Sequence, residues 1–200
     1  MSEETRWIIR KKHFLERLEL EYKIGRVDAD IKPLLDVINS FNEYYTTSSC
    51  SGRIQITLNR LPGDKQNIIT VAKWHREVKV EEVLSVVNEL KESATEYSWF
   101  SVQPPIFHVV ARDVEAALNI LNLARHCGFK HSGIQSVKKF RVVVEITGSE
   151  RIEVPLFLEG VLIVKLEHLP VLVKIANELL LKSKEKMRRL QEMLLKERFN

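Results

Sequence analysis

The spacing of apolar residues in this chain changes between the period of a helix and the period of a strand, and it follows the same order twice. In each half a helical segment precedes an aromatic residue, a Ser-Gly element, strand segments and another helix. This order predicts an α+β fold: a layered domain of two repeated units, each a β-sheet with helices, and a long C-terminal helix. We predict a single domain over residues 1–200, and the repeated order suggests an internal duplication of about 28–112 and 114–199.

Helical spacing occurs in five segments. They are residues 1–24, 27–41, 79–93, 114–128 and about 168–199. In the second segment, Asp28 or Asp30 can cap the N-terminus and Pro33 suits the first turn. Gly128 should terminate the fourth segment. The last helix would be about 45 Å long, which is longer than one small core can cover, so we expect its end to project or to meet a partner.

Strand-type alternation predicts the sheets. The segments are 53–59 and 68–75 with a turn at 61–67 between them, an extended stretch at 97–113, and then 129–148, 151–158 and 161–166. The adjacent Pro104 and Pro105 require a sheet edge or a break inside the extended stretch. We expect two three-stranded sheets, each of which carries helices.

Composition argues against several classes of protein. No apolar run reaches 18 residues and the N-terminus is charged, which argues against a membrane span or a signal peptide and predicts a cytoplasmic protein. Cys50 and Cys127 are expected to be free thiols, because two cysteines do not make a disulfide framework. The chain contains no CxxC or HxxxH pair, so we expect no metal site.

The net charge of +4 is concentrated near the end of the chain, where eight Lys or Arg stand against four Glu between Lys174 and Arg198. A basic helical end fits a phosphate backbone or an acidic partner. A solvated helix with i,i+4 pairs such as Glu185 with Arg189 fits equally well. The same helix has an apolar stripe that suits packing on the N-terminal helix or on a second subunit. The stripe consists of Met187, Leu190 and Leu194.

The polar stretch 44–54, YYTTSSCSGRI, differs from its charged and apolar surroundings. It follows a helix and leads into a strand, which is not the strand-loop-helix order of a P-loop or dinucleotide fold, and the chain has no GxGxxG, so we predict a non-Rossmann fold. Gly52 permits close backbone approach, and Arg53 offers a planar fork for a carboxylate or a phosphate. Hydroxyl groups come from Ser48, Ser49 and Ser51. The pattern fits either a ligand site or a polar turn at the edge of a strand.

Three other positions invite a chemical role. The segment AKWHRE places Lys73, Trp74 and His75 at the end of a predicted strand, where Trp and His either stack on a base or form a core Trp beside a surface His. His108 follows the two prolines in an apolar strand, which fits a core histidine or the edge of a cleft. Cys50 could be a nucleophile, but no catalytic-Cys signature surrounds it and free Cys is most often a small buried residue.

Five segments in this order carry a resemblance to a known family. They are YYTTSSCSGRI, KWH, PPIFHV, GFKHSG and EVPL…G…LIV. Together they resemble the tRNA wybutosine-synthesising protein 3 family, which are S-adenosylmethionine-dependent methyltransferases, and the resemblance spans nearly the whole chain. It implies methyl transfer to N4 of the tricyclic base made from guanosine, just 3′ of the anticodon of phenylalanine tRNA. With no appended domain of the kind some eukaryotic members carry, the chain is similar to the stand-alone archaeal form.

The resemblance implies a set of site residues, to which we assign roles. His75 and His108 are the candidate catalytic residues, because either can orient the base nitrogen or accept its proton. Arg53 and the Ser-Gly backbone suit the methionine carboxylate or a substrate phosphate. The candidate cofactor- or substrate-binding residues are Ser48, Ser49, Cys50, Ser51, Gly52, Arg53, Lys73, Trp74, Ser132 and Gly133. Two rival functions are a non-enzymatic RNA-binding module that uses the same basic surface and a Cys-dependent hydrolase.

Overall fold

Residues 2–62 and 67–198 are described by the structure, a computed structural model, and their strands form two antiparallel sheets. The predicted turn at 61–67 lies partly outside these residues, and the predicted helix end at 199 lies outside them. The chain divides into two units. Unit 1 contains the segments up to Ser51, Pro105–Ser149 and from Lys184 onward, and unit 2 contains Gly52–Pro104 and Glu150–Ser183. Each unit is built from separate segments, and the suggested duplication of contiguous halves stays a prediction.

The α-helices of the described residues agree with the five predicted segments. They are α1 (Glu3–Lys23), α2 (Lys32–Ser40), α3 (Val80–Glu92), α4 (Val114–His126) and α5 (Leu169–Arg198). Gly128 has φ +100° beyond the end of α4, as predicted. The cap predicted for α2 is wrong: its N-cap is Ile31, which makes no side-chain cap bond. Pro33 does lie in the first turn of α2.

The prediction of two three-stranded sheets is wrong in the number of strands. The strands are β1 (Tyr44–Cys50), β2 (Arg53–Leu58), β3 (Ile69–Trp74), β4 (Ser98–Gln103), β5 (Ile106–Ala111), β6 (Gly133–Lys138), β7 (Arg141–Thr147), β8 (Ile152–Leu158) and β9 (Val161–Leu162). Counted over the part of the chain that the structure describes, unit 1 has a four-stranded sheet in the order β1-β5-β7-β6, and unit 2 has a five-stranded sheet in the order β3-β2-β4-β8-β9. The proline pair breaks the stretch 97–113 into β4 and β5, which enter different sheets.

The sheet of unit 1 has helices on both faces. On one face Phe107 and Val109 of β5 join buried side chains of α2, α4 and the C-terminal part of α5. On the other face Val110 packs with Trp7 of α1 and Tyr45 of β1, because side chains of one strand alternate between faces. The Trp7 and Tyr45 rings lie 5.0 Å apart between centroids. This α1 face also carries His108, which stands two residues before Val110.

Unit 2 has its own core, formed by α3 and the N-terminal part of α5 against its sheet. Phe100 of β4 and Val83 of α3 are fully buried there, and Val173 of α5 is close to fully buried. The Asn177 side chain ties α5 to the segment before α3, because its amide oxygen accepts from the Val78 N–H at 2.9 Å and its NH2 donates to the Val78 carbonyl at 2.9 Å.

Helix α5 contributes apolar side chains to the cores of both units. Leu169, Val173, Ala176 and Leu180 lie in the core of unit 2, and Met187, Leu190 and Leu194 lie in the core of unit 1. The first alternative for the helix end, that it projects, is therefore wrong as far as Leu194, which is 1% exposed, and the second, that it meets a partner, stays a prediction. No helix among residues 2–62 and 67–198 is both long enough and apolar enough to cross a membrane.

Glu82, in the first turn of α3, should make stability depend on pH. Hydrogen bonds from Arg76, followed by one from the Lys79 backbone, lower its pKa from 4.5 to about 2. Because the folded pKa is depressed, the stabilisation is present above pH 4.5 and is lost as the pH falls towards 2. Because water screens this exposed pair, we expect Glu82→Gln to lower the melting temperature only slightly at pH 7, by no more than about 2 °C, and to match the unsubstituted protein at pH 2. An equal difference at both pH values, measured by thermal unfolding, would contradict this.

Candidate active site

Most of the polar stretch 44–54 is a strand rather than a turn. Residues Tyr44–Cys50 form β1, which lies at the edge of the unit 1 sheet and, within the described residues, pairs with β5 alone. Only Ser51 and Gly52 separate β1 from β2, and Gly52 has φ +85°, a conformation that glycine adopts without strain. The stretch is divided between the units, because Ser51 ends a segment of unit 1 and Gly52 begins unit 2.

Within unit 1, a bulge in β1 brings Ser48 to His108. Thr46 pairs with Val109 and Ser49 pairs with Phe107, so two residues of β1 oppose the single His108 of β5. The Ser48 Oγ lies 2.9 Å from His108 Nδ1. This hydrogen bond joins the first and third predicted segments of the motif.

The hydrogen-bonded row continues across the sheet of unit 1. His108 pairs with Glu145 of β7 in register, and its Nε2 lies 3.2 Å from a Glu145 carboxylate oxygen. Glu145 in turn is opposite Gly133, the first residue of β6. A Cβ built on Gly133 would have no heavy atom within 4 Å, so the space beside Glu145 is open at this end of the row.

Ser132, next to Gly133, is buried and held by hydrogen bonds to neighbouring elements of unit 1. It is 3% exposed, and its Oγ accepts a hydrogen bond from the Thr147 N–H at 3.1 Å. Arg125 at the end of α4 donates to the Ser132 carbonyl at 3.0 Å. These bonds fix the start of β6 to β7 and thereby position Gly133.

Ser51 is held by charged residues of unit 1. Its N–H donates to the Asp28 carboxylate at 2.8 Å, and its Oγ lies 2.8 Å from Lys184 Nζ of α5. Lys184 also pairs with Asp30. Because Ser51 is fully buried, its hydroxyl is not an exposed donor, and its contact with Lys184 helps to hold the backbone of the motif in place. Asp28 and Asp30, expected as helix caps, serve this connection instead.

Within unit 2, the remaining motif residues cluster where β2 begins and β3 ends. His75 Nδ1 lies 3.0 Å from the Gly52 carbonyl oxygen, and since a carbonyl only accepts, Nδ1 is the protonated nitrogen. The Arg53 Nε donates to the Gln55 amide oxygen at 2.6 Å, and Gln55 is buried. Both functional side chains therefore have a partner that fixes their orientation.

Lys73 and Trp74 occupy less specific surroundings, and both cysteines are free thiols. Trp74 is half-buried and packs against the core of unit 2, as the core-Trp interpretation expects, while Lys73 is exposed. Cys50 is a half-buried free thiol at the end of β1, and Cys127 is a buried one. Burial raises the pKa of the Cys127 thiol, which keeps it protonated and unreactive. The expectation of two free thiols is confirmed.

Comparison with known proteins identifies the family. Residues 9–196 match the family described as methyltransferase TYW3. The chain belongs to this family. The match confirms the resemblance inferred from the ordered motifs, and with it the assignment of the chain as a methyltransferase enzyme.

Relatives of this TYW3-family chain match it over almost their full length. A protein of Thermococcus sibiricus is 46% identical over 193 residues, covering 96% of each chain, and one of Pyrococcus horikoshii is 44% identical over 184 residues, covering 92% of each. Both are named tRNA(Phe) 7-((3-amino-3-carboxypropyl)-4-demethylwyosine(37)-N(4))-methyltransferases, the second with the suffix 1.

Solved structures show the same TYW3-type fold. The PH1069 protein from Pyrococcus horikoshii aligns with a TM-score of 0.88 and 41% identity, covering 96% of this chain and 97% of its own. A hypothetical protein from Aeropyrum pernix aligns with a TM-score of 0.74 and 29% identity, covering 84% of this chain and 98% of its own. The predicted α+β architecture with a long C-terminal helix is confirmed.

Several residues around the motifs of this TYW3 chain were missed in the sequence. They are Gln55, Glu145 and Lys184, and the hydrogen bond between Asp28 and Ser51 was missed as well. Glu145 did leave a signal, because it is the one acidic residue in the apolar strand RVVVEIT. Lys184 left none, since it stands among other lysines and is 133 positions from Ser51.

Proposed function

We propose that this protein methylates N4 of the 4-demethylwyosine-type base at position 37 of phenylalanine tRNA, in the cytoplasm, with S-adenosylmethionine as the methyl donor. The observation that carries the proposal is the match, over 96% of both chains, to a relative named for this reaction. The resemblance of the motifs SSCSGR, KWH and PPIFHV to the same family gives the same substrate.

The chemistry of the motif side chains fits such a donor and such a substrate. S-adenosylmethionine supplies an electrophilic methyl group on a sulfonium, and the molecule ends in a carboxylate. The Arg53 guanidinium suits that carboxylate or a tRNA phosphate, because its planar fork binds either in a bidentate manner. Ser48 and Ser49 offer hydroxyl groups, and the half-buried Trp74 offers a ring face for a flat base.

Methyl transfer to nitrogen makes modest demands on acid-base groups. The reaction is an in-line displacement, so holding donor and acceptor in one line provides much of the acceleration. The product nitrogen must still lose a proton, which calls for one basic group near it. His75 and His108 both meet the structural requirement for this role, since each imidazole is oriented by a hydrogen bond to a fixed partner.

A direct methylation assay tests the proposal. The substrate is phenylalanine tRNA that carries the tricyclic precursor without its N4 methyl group, with radiolabelled S-adenosylmethionine as donor. We expect label in the tRNA, and calorimetry should show binding of the donor to the protein alone. A non-enzymatic RNA-binding module would bind the tRNA but neither bind the donor nor transfer the label, and that result would refute the proposal.

Cys50→Ser should retain most of the methyl-transfer activity. Direct displacement needs no covalent enzyme intermediate, and the hydroxyl of Ser preserves the size and polarity of the half-buried side chain. We expect kcat within about threefold of the unsubstituted enzyme, far from the factor of about 10²–10⁴ that removal of a reacting proton-transfer group costs. A decrease of several orders of magnitude in a folded variant, with a trapped thiol adduct in the original enzyme, would support the Cys-dependent alternative.

A further inference from the structure

We propose, on the basis of the proposed function, that Ser48, His108 and Glu145 form a proton relay for the nitrogen that is methylated. Ser48 contacts the substrate N–H and His108 receives the proton. Glu145 acts as a positioning residue, since it touches the imidazole and not the substrate.

The two hydrogen bonds of His108 fix the direction of proton flow. A carboxylate only accepts, so the Nε2 that lies 3.2 Å from Glu145 is the protonated nitrogen of the neutral ring. Nδ1 is then the acceptor, and the Ser48 hydroxyl at 2.9 Å must donate to it. Because the Ser48 hydroxyl proton lies in the hydrogen bond to His108, the lone pairs of the Ser48 oxygen face away from His108. Such an oxygen can accept a proton from a substrate N–H.

The fold of unit 1 places this row where a substrate can reach it. The bulge in β1 sets two residues opposite His108, and bulges of this kind redirect a side chain beside active sites. Ser48 is exposed and lines a cavity of about 180 Å³ beside α1. At the other end of the row, Gly133 leaves open space beside Glu145.

The interior of the row is more shielded than its ends. The side chains of His108 and Glu145 are 28% and 24% exposed, so water screens their charge interaction only in part. An imidazolium formed at His108 would lie against the Glu145 carboxylate in this partly shielded position. The carboxylate accepts the hydrogen bond from Nε2 and so holds the ring with Nδ1 towards Ser48.

The proposed step balances in atoms and electrons. As the bond from N4 to the methyl carbon forms and the sulfonium–methyl bond breaks, the electron pair of the broken bond stays on sulfur. The N4 proton passes to the Ser48 oxygen while the Ser48 hydroxyl proton passes to Nδ1 of His108. The resulting imidazolium pairs with Glu145 and returns its proton to water after the product leaves.

Three substitutions test the relay kinetically. Ser48→Ala and His108→Asn should each lower kcat by about 10²-fold, the scale for removing one proton-transfer group, with KM nearly unchanged. Glu145→Gln keeps the size of the side chain and removes its charge, so we expect a decrease in kcat of at least about tenfold. Matched controls in unit 1 are His126→Asn, whose ring is bonded to the Asn122 carbonyl, and Glu3→Gln, whose carboxylate pairs with Lys139. Both controls should keep the original kcat.

Nuclear magnetic resonance of ¹⁵N-histidine-labelled protein without donor or tRNA provides a second readout. His108→Asn identifies the His108 signals. We expect a protonated Nε2 whose hydrogen exchanges slowly with water, and faster exchange of that hydrogen in Glu145→Ala. A role in stabilising the sheet alone would change melting temperatures without the selective decrease in kcat.

The outcomes separate the relay from the proposed function. If the unsubstituted protein transfers no methyl group to the demethylated tRNA, the proposed function fails. If it is active but folded Glu145→Gln and Ser48→Ala retain the original kcat, the relay is refuted. A protonated Nδ1 at His108 in the unsubstituted protein would also refute it, because Ser48 could then no longer donate its proton.

Discussion

Arg53→Ala is expected to abolish measurable methyl transfer while the protein stays folded. A hydrogen bond between charged groups contributes about 1.5–3 kcal/mol, so the affinity for the bound group should fall by roughly 10- to 150-fold. Misplacement of the reacting atoms should lower kcat further. The cost to the fold should be smaller, because Arg53 is half-buried at the start of β2 and its side chain belongs to neither of the large hydrophobic cores.

The same variant distinguishes the two ligands considered for Arg53. If the guanidinium holds the methionine carboxylate, calorimetry will show weaker binding of S-adenosylmethionine and unchanged binding of tRNA. If it holds a tRNA phosphate, the reverse will be seen. Arg53→Lys keeps the charge without the planar fork, so its activity should fall between those of Arg53→Ala and the unsubstituted enzyme. Arg60→Ala removes an exposed arginine of the same unit and should have no effect. Full activity of folded Arg53→Ala would exclude Arg53 from the site.

The helices were predictable because their signals are local. Apolar spacing near 3.6 residues marks each of them, and the ends of α4 are set by neighbours in sequence. Asp113 caps its start by accepting from the Ala116 N–H at 2.9 Å, and Gly128 follows its end. In α2 the local signal misled, since the Asp28 carboxylate binds the Ser51 N–H, 23 positions away. A tertiary hydrogen bond replaced the local cap.

The sheets were less predictable because strand pairing is non-local. Alternation located β2, β4 and β8, but it did not show that Pro104 and Pro105 divide one extended stretch between two sheets. It also missed β1, whose Thr and Ser residues resemble a turn in composition. In the structure these residues form an edge strand, where small hydroxyl side chains with few apolar neighbours are tolerated.

The candidate site was predictable as a set of motifs and not as a set of contacts. The resemblance identified Ser48 and His108 by position. Their 2.9 Å hydrogen bond depends on a bulge in β1, which shifts the register by one residue and has no sequence mark. Glu145 completes the row only because β7 pairs with β5 in one particular register. The relay therefore became visible only with the strand pairing.

Helix α5 carries an apolar stripe and a basic surface, and the structure gives them separate roles. Met187, Leu190 and Leu194 are at most 4% exposed in the core of unit 1, so cutting the chain after Leu181 would remove part of a core along with the charges. The basic residues also differ among themselves. Lys184 and Lys186 point inward, while Arg189 and Lys196 are exposed, and Arg189 is paired with Glu185 at 3.7 Å as the i,i+4 spacing predicts.

Paired substitutions on α5 should therefore have opposite effects. Leu190→Ala should destabilise the protein by about 2–5 kcal/mol, because it leaves a cavity at a fully buried position, and should leave the salt dependence of tRNA binding unchanged in the folded protein.

The double variant Arg189→Gln with Lys196→Gln should alter stability little. If these exposed side chains bind tRNA phosphates, the slope of log K against log salt should decrease by about 0.7–0.9 for each phosphate that is no longer neutralised, with unchanged affinity for S-adenosylmethionine. Thermal unfolding and filter binding at several salt concentrations measure both quantities. An unchanged slope in the folded double variant would mean that these basic side chains belong to a solvated helix and do not bind phosphates. A Leu190→Ala protein as stable as the original would contradict the packing of α5 in unit 1.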